Sequence, residues 1–414
     1  MTGTELPLLK TELVGPKSRD WVDRLAQHEC PAITSRRARR ASMLGTSDTD
    51  PIVWKAALGA CVLDEDDNRF VDFTSGFGVA SVGHAHPAVV QAGQSQLARL
   101  PHAMGDAFPD AKRIQLLERL AKSTGLTHGI FGSSGSDAVE AALKTARLAS
   151  GRDTILAFEG GYHGLSYGAL QVTHYKNAHF RAPFAGQLGD HVQHLPYGSL
   201  PTHLRDIGAV IVEPIQGRGG MRVPPPNWLK VLAALCKRDG AILIFDEIYT
   251  GFGRTGAMFS FETEAVLPDL LCLGKGMAGG YPLSVCMGKQ AVMESWGASK
   301  GEAIHTQTFL GNPVGCAMAL ACLDVIEQEG LVAKSEADGL WLSERLQKLG
   351  TLRGRGLMRG LEVPNSLALS RRLMEQGFIA LPAGVEAEVL AIIPPLNVKR
   401  QQLEGFCDAI ESLL

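Results

Sequence analysis

Ala241 to Phe245 and Leu270 to Leu273 are apolar runs with no polar face. Such runs predict strands buried on both sides, the kind found in parallel sheets. Thr154 to Phe158 and Ala209 to Val212 repeat the pattern with helical segments between them, and this alternation predicts a mostly parallel sheet covered by helices. Gly132 to Arg147 starts in small residues and continues in strong helix formers with apolar residues three and four apart, which predicts a loop feeding a helix N-terminus. From Ile52 to Phe73, short runs around a polar turn predict antiparallel strands. Asn312-Pro313 opens a long helix. Beyond it, strand-like runs at Arg355 to Glu362, Gly377 to Leu381 and Val389 to Ile393, followed by a final amphipathic helix, predict an α+β C-terminal part.

Both leading runs end in a charge: Asp246 closes the first, and Lys275 follows the second between Gly274 and Gly276, where a backbone can pass close to a ligand. Ligands of open α/β sheets bind at the carboxyl ends of strands, so an acid and an amine would meet in one crevice. A buried ion pair fits these two residues equally well. A pyridoxal phosphate site needs this combination, a lysine for the Schiff base and a carboxylate facing the pyridine nitrogen. The start of the helix after Ser134 offers free amides and a dipole to a phosphate, and also fits an ordinary serine N-cap.

At 414 residues, 45% of them hydrophobic, the chain is long enough for a large core and two domains. The net charge of −3 supplies no basic field for nucleic acid or anionic lipid, which leaves a small molecule as the expected partner. Four arginines at 36, 37, 39 and 40 read as a solvated helix face or an anion site. The eight cysteines show no paired spacing of the zinc or redox kind and read as reduced core residues. His84 and His86 lack further ligands for zinc and read as a hydrogen-bonded turn, so no metal is expected. No apolar stretch reaches about eighteen residues and no basic-then-apolar leader opens the chain, so a cytoplasmic protein is expected.

The strings Phe-Asp-Glu-Ile-Tyr-Thr-Gly-Phe-Gly-Arg-Thr-Gly (245–256) and Leu-Gly-Lys-Gly-Met-Ala-Gly-Gly-Tyr-Pro-Leu-Ser (273–284) resemble the class III aminotransferases. These are fold-type I pyridoxal-phosphate enzymes that include 4-aminobutyrate and ornithine aminotransferases, and the similarity runs from about Val71 to the C-terminus. The resemblance implies an α/β fold with a large cofactor-binding domain (71–315) and a small α+β domain built from residues 1–70 and 316–414. It implies that Lys275 binds the cofactor and shuttles the proton, that Asp246 faces the ring nitrogen and that Tyr162 stacks on the ring. Gly135 and Ser136 would hold the phosphate, with Glu213, Ile248 and Tyr249 around the cofactor. Thr308 would reach the phosphate of a neighbouring subunit, which requires a homodimer. The activity implied is transfer of an amino group from a primary or ω-amine to a 2-oxo acid in two steps, with a decarboxylase, racemase or aminomutase of the same fold as the alternative.

Departures from the family pattern concern substrate. An arginine three positions before the paired prolines is replaced by Ala391, and a glutamate after Gln-Gly by Arg218. An arginine after the Tyr/Phe-His-Gly motif is replaced by Leu165, and a glutamine near the cofactor by Tyr249. Leu165 and Phe77 imply a donor with an apolar or uncharged distal part. Arg218 would either meet the carboxylate of the oxo acid by a two-pronged hydrogen bond or face solvent from a glycine-rich loop.

Overall fold

The structure, a computed structural model, describes residues 1–33, 42 and 51–414. The arginine cluster at 36–40 lies outside the described residues. Three sheets organise the rest. Near the N-terminus, β1 (Trp54–Leu58), β2 (Cys61–Asp64) and β3 (Arg69–Asp72) run antiparallel, because Gly59 at φ +57° and a polar turn at 65–68 reverse the chain twice.

The central sheet contains β4 (His128–Gly132), β5 (Thr154–Phe158), β6 (Val192–Leu195), β7 (Ile207–Val212), β8 (Ile242–Asp246), β9 (Leu270–Leu273) and β10 (Ser284–Gly288). Their order is β4-β10-β9-β8-β7-β5-β6, with β10 antiparallel to both neighbours and the pairs among β5 to β9 parallel. Every residue of β7, β9 and β10 is buried, as continuous apolar runs require when helices cover both faces. The helix Gly135–Ser150 supplies one cover, packing Ala138, Ala142 and Ala146 onto the sheet beside Ile211, Ile244 and Cys272. In the register Ile244↔Leu270 and Asp246↔Cys272, the carboxyl ends of β8 and β9 lie side by side.

The C-terminal part differs from the sequence expectation in two places. The stretch read as one strand from Arg355 to Glu362 is a hairpin, β11 (Leu352–Arg355) and β12 (Met358–Glu362). Gly356 at φ +53° allows the two-residue reversal. Gly377 to Leu381 likewise divides, into β13 (Phe378–Ile379) and β14 (Leu381–Ala383), which join different sheets. β13 pairs in parallel with β3 through Val71↔Phe378, so the two ends of the chain share one sheet. β15 (Val389–Ile392) lies between β12 and β14. The helices Pro313–Gln328, Leu331–Leu346, Ser366–Glu375 and Arg400–Leu413 complete this part, the first capped by the Asn312 carboxamide oxygen, which accepts from the Val314 and Gly315 amides. Among the described residues no helix is long and apolar enough to cross a membrane.

Candidate active site

Asp246, the last residue of β8, is 4% exposed and its carboxylate is fully engaged. Its Oδ2 accepts from His163 Nδ1 at 2.8 Å and its Oδ1 from the Ile248 amide at 3.1 Å. His163 is itself buried, with its backbone N–H donating to Thr173 Oγ1. This histidine was not assigned a role from sequence. The signal available was its place beside Tyr162, combined with the rule that a buried carboxylate needs a donor.

Lys275 stands one residue past Gly274, at φ +38°, a conformation unusual for a residue with a side chain. Its Nζ sits 4.0 Å from the centroid of the Tyr249 ring. Burial lowers its pKa to about 8, a shift that Asp246 and Glu213 oppose and Arg218 reinforces. All three charged groups therefore act on one amine. The flanking glycines have separate reasons. A Cβ on Gly276 would lie 2.2 Å from Ser81 Oγ, so this residue is glycine for close chain packing rather than for a ligand. A Cβ on Gly274 would find only ordinary contacts with Ile248 and Ser284.

Glu213, just beyond β7, accepts from the Tyr162 amide at 2.9 Å and the Gly217 amide at 3.0 Å, which fixes the two loops that border the crevice. Burial raises its pKa to about 7, with the nearby Asp246 adding to the rise and His163 opposing it. Tyr249 is held by burial as a neutral phenol with its pKa pushed up to about 12.

On the opposite side of the crevice, the helix Gly135–Ser150 begins with a capping box. The Ser134 hydroxyl accepts from the Asp137 amide, and the Asp137 carboxylate accepts from the Ser134 amide. The amides of Gly135 and Ser136 have no preceding turn to bond to. Ser136 Oγ accepts from the Leu165 amide at 3.3 Å, leaving its hydroxyl proton available to an acceptor. The space is closely fitted, since a Cβ on Gly164 would come within 2.1 Å of Ser136 Oγ and one on Gly135 within 3.0 Å of Ile248 Cδ1.

Phe77 lies on a turn in which Ser75, Gly76, Phe77 and Gly78 all have positive φ, from +48° to +81°. Left-handed backbone costs roughly 1–2 kcal/mol at each non-glycine residue, so the surroundings must impose it. Asp72 does so by accepting from the Thr74 and Gly76 amides, the Thr74 hydroxyl and His84 Nε2. Ser75 Oγ donates to the Ile393 carbonyl and accepts from the buried Arg254. The turn abuts Tyr249, because a Cβ on Gly78 would lie 2.3 Å from that ring, and leaves Phe77 58% exposed. His86 hydrogen-bonds Glu329 at 3.1 Å, so the two histidines serve separate carboxylates. Among the described residues no group of histidines, cysteines and acids is placed to hold a metal ion.

Leu165 is 45% exposed near the helix start. Thr308 is exposed on a segment whose Gln307 contacts Ser133 Oγ at 3.4 Å. Ala391 is buried in an apolar cluster with Met358, Val389 and Ile393. Arg218 is partly exposed, with its Cζ 4.4 Å from the Tyr162 ring centroid.

Comparison with known proteins gives this geometry a lineage. The family described as aminotransferase class-III matches residues 44–414. The chain belongs to that family. This class-III aminotransferase is 34% identical over 378 residues to an acetylornithine aminotransferase of Methanosarcina mazei, covering 89% of this chain and 93% of the relative. Among solved structures, it resembles an amine transaminase from an uncultivated Pseudomonas species in its PLP-bound form, at a TM-score of 0.81 and 30% identity over 88% of this chain and 94% of the other. It also resembles the ornithine aminotransferase of Toxoplasma gondii, at a TM-score of 0.85 and 27% identity over 97% and 95% of the two chains. The fold is that of the fold-type I transaminases, the cofactor is pyridoxal phosphate and the reaction is transamination. These relatives do not favour the decarboxylase, racemase or aminomutase alternative.

The residues present fit that cofactor. A closely packed helix N-terminus with uncommitted amides suits its phosphate, a buried carboxylate suits its ring nitrogen and an amine of lowered pKa suits its aldehyde.

Proposed function

We propose that this aminotransferase takes the amino group of a primary amine or ω-amine with an uncharged distal part and delivers it to a 2-oxo acid, using Lys275 as both cofactor attachment and proton shuttle. The observation that carries the reading is the meeting of Lys275 and Asp246 at the adjacent carboxyl ends of β9 and β8. When bound, pyridoxal phosphate supplies an aldehyde that takes up the amino group and a ring that accepts electrons from the substrate carbon. Lys275 Nζ, whose pKa of about 8 leaves an appreciable neutral fraction at neutral pH, would remove the proton from the carbon bearing the nitrogen. Asp246, oriented by His163 and the Ile248 amide, would hold a proton on the ring nitrogen.

Tyr162 would cover the ring, fixed through its amide by Glu213, while Ile248 and the Tyr249 hydroxyl would border it. Gly135 and Ser136 would receive the phosphate. Phe77 and Leu165, both apolar and partly exposed, would line the path of the donor and disfavour a distal carboxylate. Thr308, exposed in the single chain, would complete the phosphate site of a second copy, making a homodimer the working unit. We assign residues 71–315 to a large cofactor-binding domain and residues 1–70 with 316–414 to a small one, a division supported by the pairing of β13 with β3. Seven buried free thiols fit a reducing compartment, and we place the enzyme in the cytoplasm.

Borohydride reduction followed by peptide mapping tests the core of the reading, and the expected result is a pyridoxyl label on Lys275. A donor panel of α-amino acids, ω-amino acids, diamines and aryl-alkyl amines then tests the substrate class. Preference for donors with a distal carboxylate would refute the role given to Phe77 and Leu165.

A further inference from the structure

Arg218 is a cation without a counter-charge. It is partly buried, and among the described residues no carboxylate lies within ion-pair distance of its guanidinium. Instead its Cζ sits 4.4 Å from the Tyr162 ring centroid and 5.9 Å from that of Tyr175, while Phe180 packs near both rings, at 6.5 and 6.3 Å. The backbone beneath it is tied down. The Arg218 carbonyl accepts from the Gly384 amide at 3.0 Å, and the Gly384 carbonyl accepts from the Tyr175 hydroxyl at 3.3 Å. One glycine thus fixes both the arginine and one wall of its cradle.

A guanidinium resting on an aromatic face keeps its N–H fork, which lies in its own plane, free for a planar anion. Arg218 is also the cation felt by Lys275, so the fork lies within electrostatic reach of the reacting amine. The β15 side of the crevice cannot supply this charge, because Ala391, Met358, Val389 and Ile393 form an apolar wall with Tyr249 packed against it. A 2-oxo acid brings a carboxylate beside these partly buried groups, where leaving it unpaired would be costly.

We propose that Arg218 is the carboxylate receptor of the active site, binding the 2-oxo acid by a two-pronged hydrogen bond, with Tyr175 as its positioning residue. The proposal deepens the transaminase reading and rests on it. It also gives the two substrates unequal needs: the acceptor depends on Arg218 for its carboxylate, whereas a donor amine without one does not engage the fork.

The test compares acceptors with and without a carboxylate in the holoenzyme after amination by a preferred amine. Arg218→Gln and Arg218→Ala are expected to lower kcat/KM for pyruvate and 2-oxoglutarate by about tenfold to a hundredfold more than for propanal, mainly through KM, since charge-assisted hydrogen bonds are involved. Arg218→Lys should recover part of that loss, as a point charge without the fork. Propionate, which carries the carboxylate but cannot react, should lose its competitive inhibition by a similar factor. Tyr175→Leu should shift the acid-to-aldehyde ratio in the same direction by a smaller factor. Equal losses for acid and aldehyde, or undiminished inhibition of Arg218→Gln by propionate, would overturn the assignment, and an unshifted ratio in Tyr175→Leu would overturn the positioning role. Failure of the underlying transaminase reading looks different, because wild type would then turn over neither acceptor.

Discussion

Replacing Lys275 with methionine should make the cofactor-free protein more stable at neutral pH, and the gain should fade as pH rises. The lysine has an ordinary pKa of 10.5 and is lowered to about 8 by burial. Below pH 8 the amine is protonated in both folded and unfolded chains, and the fold bears the full cost of enclosing an ammonium. Between about 8 and 10.5 the folded chain releases the proton before the unfolded one, so the cost disappears progressively. A shift of this size corresponds to about 3 kcal/mol, or about 2 kcal/mol after allowance for the partial solvent contact of the side chain. Methionine fills a similar volume and adds a pH-independent apolar contribution. The assay is urea unfolding of both apoproteins at fixed protein concentration at pH 7, 8, 9 and 10, since assembly would otherwise alter the apparent stability. The expected stability difference is about 2–3 kcal/mol in favour of Lys275→Met at pH 7, narrowing with each step upward. A difference that stays flat from pH 7 to 10 would refute the claim that the amine sits under strong desolvation.

Four further outcomes are expected. His163→Leu removes the 2.8 Å partner of Asp246 and should weaken cofactor affinity or turnover by about tenfold to a hundredfold, measured by equilibrium dialysis and steady-state kinetics. Gly164→Ala combines φ +124° with a Cβ 2.1 Å from Ser136 Oγ, and an absorbance titration should show clearly weaker pyridoxal phosphate binding. Gly125→Ala, also at positive φ but with open space around it, should affect stability alone. Arg254→Met leaves the Leu357 and Pro394 carbonyls and the Ser75 hydroxyl without their donor, so urea unfolding should show a loss of about 3 kcal/mol or more.

What could be read in the sequence was local. The strands ending at Asp246 and near Lys275 announce themselves because each is an uninterrupted apolar run, and the helix after Ser134 because small capping residues precede strong helix formers. Features that depend on topology left no such trace. His163 meets Asp246 across 83 residues of chain, and β13 joins β3 from the far end of the molecule. The hairpin of β11 and β12 was hidden because its reversal takes only two residues, Gly356 and Leu357, with no Asn, Asp or Pro to mark a turn. The left-handed turn at Ser75 to Gly78 was also hidden, because two of its four residues carry side chains and are held there by Asp72 and Arg254 rather than by their own preferences.

The buried charges also define the pH range in which the cofactor-free chain is least stable. Burial raises Glu213 from 4.5 to about 7, so from pH 4.5 upward the unfolded chain loses this proton before the folded one, and the resulting penalty on the fold grows until it is full above 7. The penalty from Lys275 is full below about 8 and declines above it. The two overlap between about pH 7 and 8, the range in which a half-neutral lysine is most useful as a proton carrier. Groups arranged for catalysis are therefore the groups that make the apoprotein least comfortable at its working pH. Occupancy of the crevice relieves that conflict by mass action, since a ligand bound only by the folded chain stabilises it in proportion to the logarithm of its saturation. Cofactor binding and folding are in this way coupled through the same few side chains, with Asp246 and His163 forming the preorganised end and Lys275 the strained one.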